Sequence, residues 1–366
     1  MKLKSSEIAE ISGSALFGPS DLLVNEIVTD SRQISYTDEV AFIAIRGKNH
    51  DGHRFIDSLY RRGIRIFIVE NLPENINDYI EAAFVLSVSS LDALHRLAAW
   101  KRKSFRHPVI AITGSAGKTI VKEWLSDILG HSAPVLRSPK SYNSQIGVPL
   151  SVWKLDEKFR FGIFEAGISL KGEMEKLQRI IDPDIGVITN IGDAHRENFI
   201  NDDEKASEKL KLFKNADAII YGKDYQIIDE LILNDTDLKI KQLVSWSLSD
   251  RNANLFVKKT EINESGALLS VIYKEKEYDF AVPFNDRASL ENVITVISVC
   301  FYLKIDSNLI SGGLRKLLPV PMRMEIKAGI NNCQLIEDYY NSDPGSLKMA
   351  TDFLKGQGGK KTTLIL

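Results

Sequence analysis

The chain has 366 residues, 44% of them apolar, enough to bury more than one core and, at roughly 100–200 residues per domain, to form two or three domains. With 47 Lys and Arg against 49 Asp and Glu, the formal net charge is -2, which excludes long-range attraction to nucleic acid or to an anionic membrane, so any anionic ligand must be held by a local site. Cys300 and Cys333 have no CxxC partner and exclude a disulfide framework and a thiolate zinc site, and with no apolar run near the ~18 residues of a membrane span and no signal peptide at MKLKSSEIAEISG, the expected location is the cytoplasm.

From the N-terminus, short apolar runs alternate with turns: VAFIAI at Val40 to Ile45, the polar stretch RGKNHDGH, then IRIFIVE at Ile64 to Glu70. This pattern predicts a small α/β domain over 1–106, ending in a helix from Leu91 to Arg106 that His107-Pro108 breaks. Beyond it, VIAIT, FGIFEA and IGVITNI alternate with helical segments and predict a parallel-sheet nucleotide-binding domain over 107–322. Leu255 to Pro283 reads as consecutive strands, either a β-rich insertion or an edge of the same domain, with a helix from about Ser289 to Tyr302 after it. LPVPM at Leu318 to Met322 marks a second boundary, and 323–366 reads as the incomplete beginning of a further α/β domain.

VIAITGSAGKTIVKEWL sets Thr113, Gly114, Ser115, Ala116, Gly117, Lys118 and Thr119 between an apolar strand and an amphipathic helix, the context of a phosphate-binding loop. Glycines let backbone amides turn toward phosphate oxygens, Lys118 neutralises β/γ charge, and the Thr119 hydroxyl can coordinate Mg²⁺. The usual GxxxxGKT pattern would place glycine where this chain has Ile112, but strand, loop and helix agree on ATP or GTP.

Glu165 ends the strand FGIF and His195 follows IGVITNI, so both should reach the carboxyl edge of the sheet, where open α/β folds bind ligands. Spacing alone does not choose between metal ligands and ordinary hydrogen-bonding residues there, and His is an unusual partner for so hard a cation. Lys209, in ASEKLKLFKNAD, lies on a helix whose apolar Leu210, Leu212 and Phe213 leave several lysines outward, which by itself predicts a solvated face.

TGSAGKT, NSQIGVPL, EAGISLKGEMEKL, TNIGDAHRENF and EKLKLF occur in an order and spacing that resemble the Mur ligases over essentially the whole chain. IVTDSRQISYTDEVAFIAIRGKNHDGHRFI, the serine of TGSAGKT and IEDYYNSDPGS are most similar to the MurF type, which joins D-Ala-D-Ala to UDP-MurNAc-tripeptide. The resemblance implies an ATP-dependent ligase of peptidoglycan precursor synthesis, with an N-terminal UDP-sugar domain, a central ATPase domain and a C-terminal domain that brings in the amine substrate. Lys118 and Thr119 would then hold ATP and Mg²⁺, Glu165 and His195 would bind metal, and Lys209 would carry a carbamate serving a second Mg²⁺, with Lys205 and Lys211 as its nearby competitors. Asn143 would sit near the reacting centre. Asn292, Arg323 and Asp338 would contact adenine, ribose or phosphate, although PFNDRASLEN before Asn292 departs from the family's glycine and histidine pattern. Ser31, Arg32, Gly47 and His53 would hold the UDP-sugar; read alone, DSR is a turn and RGKNHDGH a polar loop.

Only about 44 residues follow Met322, so a truncated third domain is expected, which puts the isolated chain's activity in question and leaves room for a fused alanine racemase downstream. Rival readings are another Mur or folylpolyglutamate-type ligase, or a non-catalytic fragment that binds ATP and the UDP-substrate.

Overall fold

The structure is a computed structural model and describes residues 2–47, 50–192, 198–321, 325–330, 333–337, 363–365 and the single residues Leu347, Thr351 and Leu354. Its chain divides into two compact units, each α/β.

The first unit comprises Met1–His107, Tyr142–Phe159 and Arg179–Asp182. In chain order its first part runs β1 (Leu3–Lys4), α1 (Ser5–Ser12), β2 (Ala15–Phe17), β3 (Leu23–Val24), β4 (Glu26–Val28), β5 (Val40–Ile43), α2 (Ile56–Arg61), β6 (Ile66–Val69), β7 (Ala83–Leu86) and α3 (Ser90–Ser104). Five strands form a sheet in the order β2-β7-β6-β5-β4, parallel except for β2 against β7. The continuous apolar runs VAFI and IFIV follow from burial on both faces. Period-two alternation sends Ala41, Ile43, Ile66 and Ile68 to one face, under α1 and α3, and Val40, Phe42, Phe67 and Val69 to the other, against Ile56 and Leu59 of α2. The Ser89 hydroxyl accepts from Asp92 N at 3.1 Å and caps α3.

The second unit comprises Pro108–Ser141, Arg160–Gln178 and Pro183–Leu366. It opens with β8 (Val109–Thr113), α4 (Lys118–Gly130) and β9 (Val135–Arg137); α5 (Gly147–Val152) belongs to the first unit. There follow β10 (Phe161–Glu165), α6 (Glu173–Ile181), β11 (Ile185–Ile188), α7 (Asp202–Leu210), β12 (Ala218–Gly222), α8 (Gln226–Asn234), β13 (Gln242–Ser247), β14 (Leu255–Asn263), β15 (Gly266–Tyr273), β16 (Lys276–Val282), α9 (Arg287–Tyr302) and α10 (Ser307–Leu314). Nine strands form one sheet, β16-β15-β14-β13-β12-β11-β8-β10-β9, parallel from β14 to β9 and antiparallel through β15 and β16. Leu255 to Pro283 is therefore the edge of this sheet, the second of the two arrangements its pattern allowed. The chain leaves β8 for β9, returns to β10 and crosses to β11 on the other side, so strand order reverses at β8 and opens a crevice at its carboxyl end.

One face of the sheet buries Ile110, Ile112, Ile163, Val187, Ile220 and Val244 against Val121, Trp124, Leu125 and Ile128 of α4 and Val293, Val296 and Ile297 of α9. Cys300 is buried on α9, while Cys333 is exposed. β17 (Glu325–Ala328) and β18 (Gln334–Glu337) pair antiparallel near the end of the described chain.

The first unit is discontinuous in sequence, whereas the motif pattern assigns 142–159 and 179–182 to the central domain. The Trp153 side chain is buried in the first unit's core, and its indole donates to Asn25 O at 3.1 Å. The Arg102 guanidinium donates to Ile181 O and Asp182 O, each at 2.8 Å.

Candidate active site

The loop after β8 turns at two glycines where no other residue fits. Gly114 has φ +139°, and an added Cβ would lie 2.0 Å from Thr189 Oγ1; Gly117 has φ +80°, and its Cβ would lie 2.3 Å from Asn292 Oδ1. Glycine at 112 is not needed, because the chain is still in the buried strand there. Asn292, on α9, thus stands against the loop and is 6% exposed.

Within the loop, Lys118 Nζ donates to Gly114 O at 2.9 Å and Ser115 O at 3.1 Å. The Thr119 hydroxyl donates at 2.8 Å to the Glu165 carboxylate, which is fully buried at the end of β10. Ser141 Oγ lies 3.1 Å from Thr119 Oγ1. Thr113 Oγ1 donates to Ala166 O at 3.0 Å, binding the end of β8 to the residue after Glu165.

The lysines of α7 do not form the solvated face their spacing predicted. Lys205 is 1% and Lys209 3% exposed; of those two and Lys211, only Lys211 reaches the surface, paired with Glu175 at 3.0 Å. Lys209 Nζ donates to Gly114 O at 3.2 Å, the same carbonyl that Lys118 approaches. Burial first, then the positive charges of Lys118 and Lys205, push the Lys209 amine well below the ordinary lysine range and favour its neutral form. Lys205 Nζ binds Gly192 O and lies 2.8 Å from Asp202, tying α7 to the loop after β11.

Residues that the motif reading did not single out complete this loop. Asn190 accepts from Ser115 N through its carbonyl and from Ala116 N through its side chain, both at 2.9 Å, and Gly192 N donates to Ser115 Oγ at 2.9 Å. The signal was present in TNIGDAHRENF, whose TN follows an apolar strand as Glu165 does. His195, Arg323 and Asp338 lie outside the described residues.

Among the described residues no three His, Cys, Asp or Glu side chains converge. A cation at the loop would take the Glu165 carboxylate and hydroxyl, phosphate and water oxygens, a donor set that fits Mg²⁺, which keeps waters and shares substrate phosphates. In such an all-oxygen site a lysine amine is a poor ligand for so hard an ion.

Within the first unit, Ser31 and Arg32 lie on a short 3₁₀ turn capped by Asp30, whose carboxylate accepts from the Arg32 guanidinium at 2.8 and 2.9 Å. Arg62 donates to Ser31 O at 3.0 Å and Ile34 O at 2.8 Å and fixes that turn. Both ring nitrogens of His53 are engaged: Nε2 accepts from Glu70 N at 2.9 Å, which leaves the Nδ1 proton to Asp51 at 2.7 Å. Gly47 is exposed, its amide donating to His50 O at 2.7 Å; Asn143 is half-buried in the segment that returns to the first unit.

The Mur ligase middle-domain model matches residues 112–300, and the model of the Mur ligase family catalytic domain matches 23–103. Among curated relatives, the UDP-N-acetylmuramoyl-tripeptide--D-alanyl-D-alanine ligase of Rickettsia prowazekii is 31% identical over 346 residues, 93% of this chain and 75% of that protein. The ligase of the same name from Bacillus subtilis is 28% identical over 100% of this chain and 78% of its own length. Among solved structures, MurF from Acinetobacter baumannii superposes with a TM-score of 0.87 at 24% identity, covering 98% of this chain and 78% of that one, a likeness of fold. With a family model over half its length and a relative above 30% identical along most of it, the chain belongs to the Mur ligase family, as an ATP-dependent ligase of the MurF type.

Proposed function

We propose that the chain joins D-Ala-D-Ala to UDP-MurNAc-tripeptide through an acyl phosphate, with ATP converted to ADP and phosphate. The substrates are those in the names of the similar ligases. The observation that carries the chemistry is the convergence of Lys118 and Lys209 on the Gly114 carbonyl, beside a Thr119 hydroxyl bonded to buried Glu165. ATP and a UDP-linked sugar peptide are cytoplasmic compounds, which is the ground for reading the enzyme as cytoplasmic; among the described residues no helix is long and apolar enough to cross a membrane.

In this reading Thr113 to Gly117 cradle the phosphates, and Lys118 exchanges the Gly114 and Ser115 carbonyls for β/γ oxygens. Asn292 abuts the loop at Gly117, and Arg323 and Asp338 complete the nucleotide contacts. The tripeptide's terminal carboxylate, oriented by Asn143, attacks the γ-phosphorus; the bond to ADP breaks while Lys118 offsets the charge on the transferring group. The D-Ala-D-Ala amine then attacks the acyl carbon, the carbon–oxygen bond to phosphate breaks, and the amine proton leaves with phosphate or solvent. Mg²⁺ held by Thr119, Glu165 and His195 would supply Lewis-acid stabilisation of phosphoryl charge. The lowered Lys209 amine would add to CO₂ in its unprotonated form, forming a nitrogen–carbon bond and releasing a proton, and the carbamate would offer a carboxylate to a second Mg²⁺. Ser31, Arg32, Gly47 and His53 belong to the UDP-sugar segment, where the engaged ring of His53 acts by shaping its loop.

Phosphate release from ATP, with each substrate supplied or withheld, tests the reading. Release that requires both UDP-MurNAc-tripeptide and D-Ala-D-Ala is expected; release indifferent to D-Ala-D-Ala, or none despite binding of ATP and the UDP-substrate, rejects it.

A further inference from the structure

Lys122 is fully buried on α4, one helical turn beyond Lys118, and the mechanism above gives it no part. Its ammonium has three protons and three oxygen partners: Ser138 O at 2.8 Å, Lys140 O, and the Glu123 carboxylate at 3.0 Å. Glu123 in turn pairs with Arg137 at 2.7 Å, so the last residue of β9 and the stretch after it are both fastened to α4. The carbonyls that Lys122 gathers belong to a constrained backbone, because Lys140 holds φ +48°, a left-handed conformation that a lysine adopts at a cost.

That backbone leads to the proposed cation-facing groups from two sides. Ser138 is buried, its amide donates to Ile163 O at 3.0 Å, and its hydroxyl stands 3.5 Å from the Glu165 amide. Ser141, the residue after Lys140, places its hydroxyl 3.1 Å from that of Thr119. The Thr119 hydroxyl donates its one proton to Glu165, so in the Ser141–Thr119 pair Ser141 is the donor. Thr119 therefore has its proton committed to Glu165 and keeps lone-pair density for a cation.

We propose that Lys122 is a positioning residue, whose buried ammonium sets residues 138–141 and thereby orients the Ser141–Thr119–Glu165 chain toward the divalent cation that accompanies the nucleotide. The inference rests on the reading of Thr119 and Glu165 as cation-facing groups.

The test is calorimetric titration of the full chain with AMP-PNP, in EDTA and in MgCl₂, for the wild type, Lys122→Met, Ser141→Ala and the double variant. In the wild type, magnesium should tighten AMP-PNP binding. Lys122→Met should lower that enhancement by roughly 10-fold, the loss expected when the partner of a metal-facing group is removed, while AMP-PNP affinity in EDTA stays unchanged. Ser141→Ala should show the same selective loss, and the double variant should be no worse than Lys122→Met alone, since both act through one contact. Enhancement retained in Lys122→Met, or affinities that fall in parallel with and without magnesium, overturns the proposal and leaves the site reading standing. No enhancement in the wild type overturns the site reading and this proposal with it. Where Lys122→Met does not fold, Ser141→Ala decides: an unchanged enhancement in it overturns the proposal.

Discussion

The Lys209 amine is buried, faces the charges of Lys118 and Lys205, and stands well below the ordinary lysine range. A lowered lysine means that, below the unfolded pKa near 10.5, the unfolded chain binds the proton that the folded chain resists. The cost of the buried charge is greatest at pH values under the folded pKa and fades as pH rises toward 10.5. In carbonate-free buffer, Lys209→Met should therefore raise the thermal midpoint at neutral pH, with the gain shrinking toward pH 10, while phosphate release is abolished. A midpoint lowered at pH 7 would mean that the ammonium is stabilising as it stands. Lys118→Ala removes the group aimed at charge that develops in transfer and should cut phosphate release by about 10²–10³-fold without lowering the thermal midpoint.

The sequence was uneven at this scale. The placement of Lys118 and Thr119 was legible because a glycine loop joins an apolar strand to the helix they open, and that of Glu165 because it ends an apolar strand, so position along the chain implies position at the sheet edge. Lys209 was not legible from periodicity, since the helix that looks amphipathic with lysines outward lies over the phosphate loop and buries two of them. Asn190 and Lys122 act on residues 74 and 16 positions away, contacts that no local pattern encodes.

At the scale of elements, the strand–loop–helix unit of β8 and α4 is held from both ends. Its loop depends on Gly117, where an alanine would need a left-handed φ and would drive Cβ into Asn292. Gly117→Ala should cost about 1–3 kcal/mol in denaturant unfolding and remove measurable AMP-PNP binding; binding within twofold of wild type would contradict the loop geometry. The helix depends on the apolar stripe of Val121, Trp124, Leu125 and Ile128, packed on the sheet beside α9. Leu125→Ala should cost about 2–5 kcal/mol by the same measurement, as truncation of a fully buried leucine does. Strands and helices with strong periodicity were legible, α3 to within two residues at each end. The edge strands β14 to β16 were legible as strands, but their sheet was not, because alternation records exposure and not the neighbour.

For the whole molecule, the sequence order of the motifs predicted consecutive domains, yet Tyr142–Phe159 and Arg179–Asp182 return to the first unit. Trp153 and the backbone at Ile181 and Asp182 explain that return through burial and hydrogen bonds, features that a one-dimensional reading cannot register. A ligand that binds only the folded chain adds stability by mass action. AMP-PNP with magnesium at one hundred times its dissociation constant should therefore contribute about 2.7 kcal/mol, seen as a raised thermal midpoint that Gly117→Ala does not show.

In the proposed reaction the tripeptide's carboxylate attacks phosphorus before the amide forms. UDP-MurNAc-tripeptide labelled with ¹⁸O in both terminal carboxylate oxygens, turned over with ATP and D-Ala-D-Ala, reports this directly in the released phosphate. One ¹⁸O per phosphate is expected, because the attacking oxygen leaves with phosphorus; phosphate free of the label while the amide accumulates would rule out an acyl phosphate.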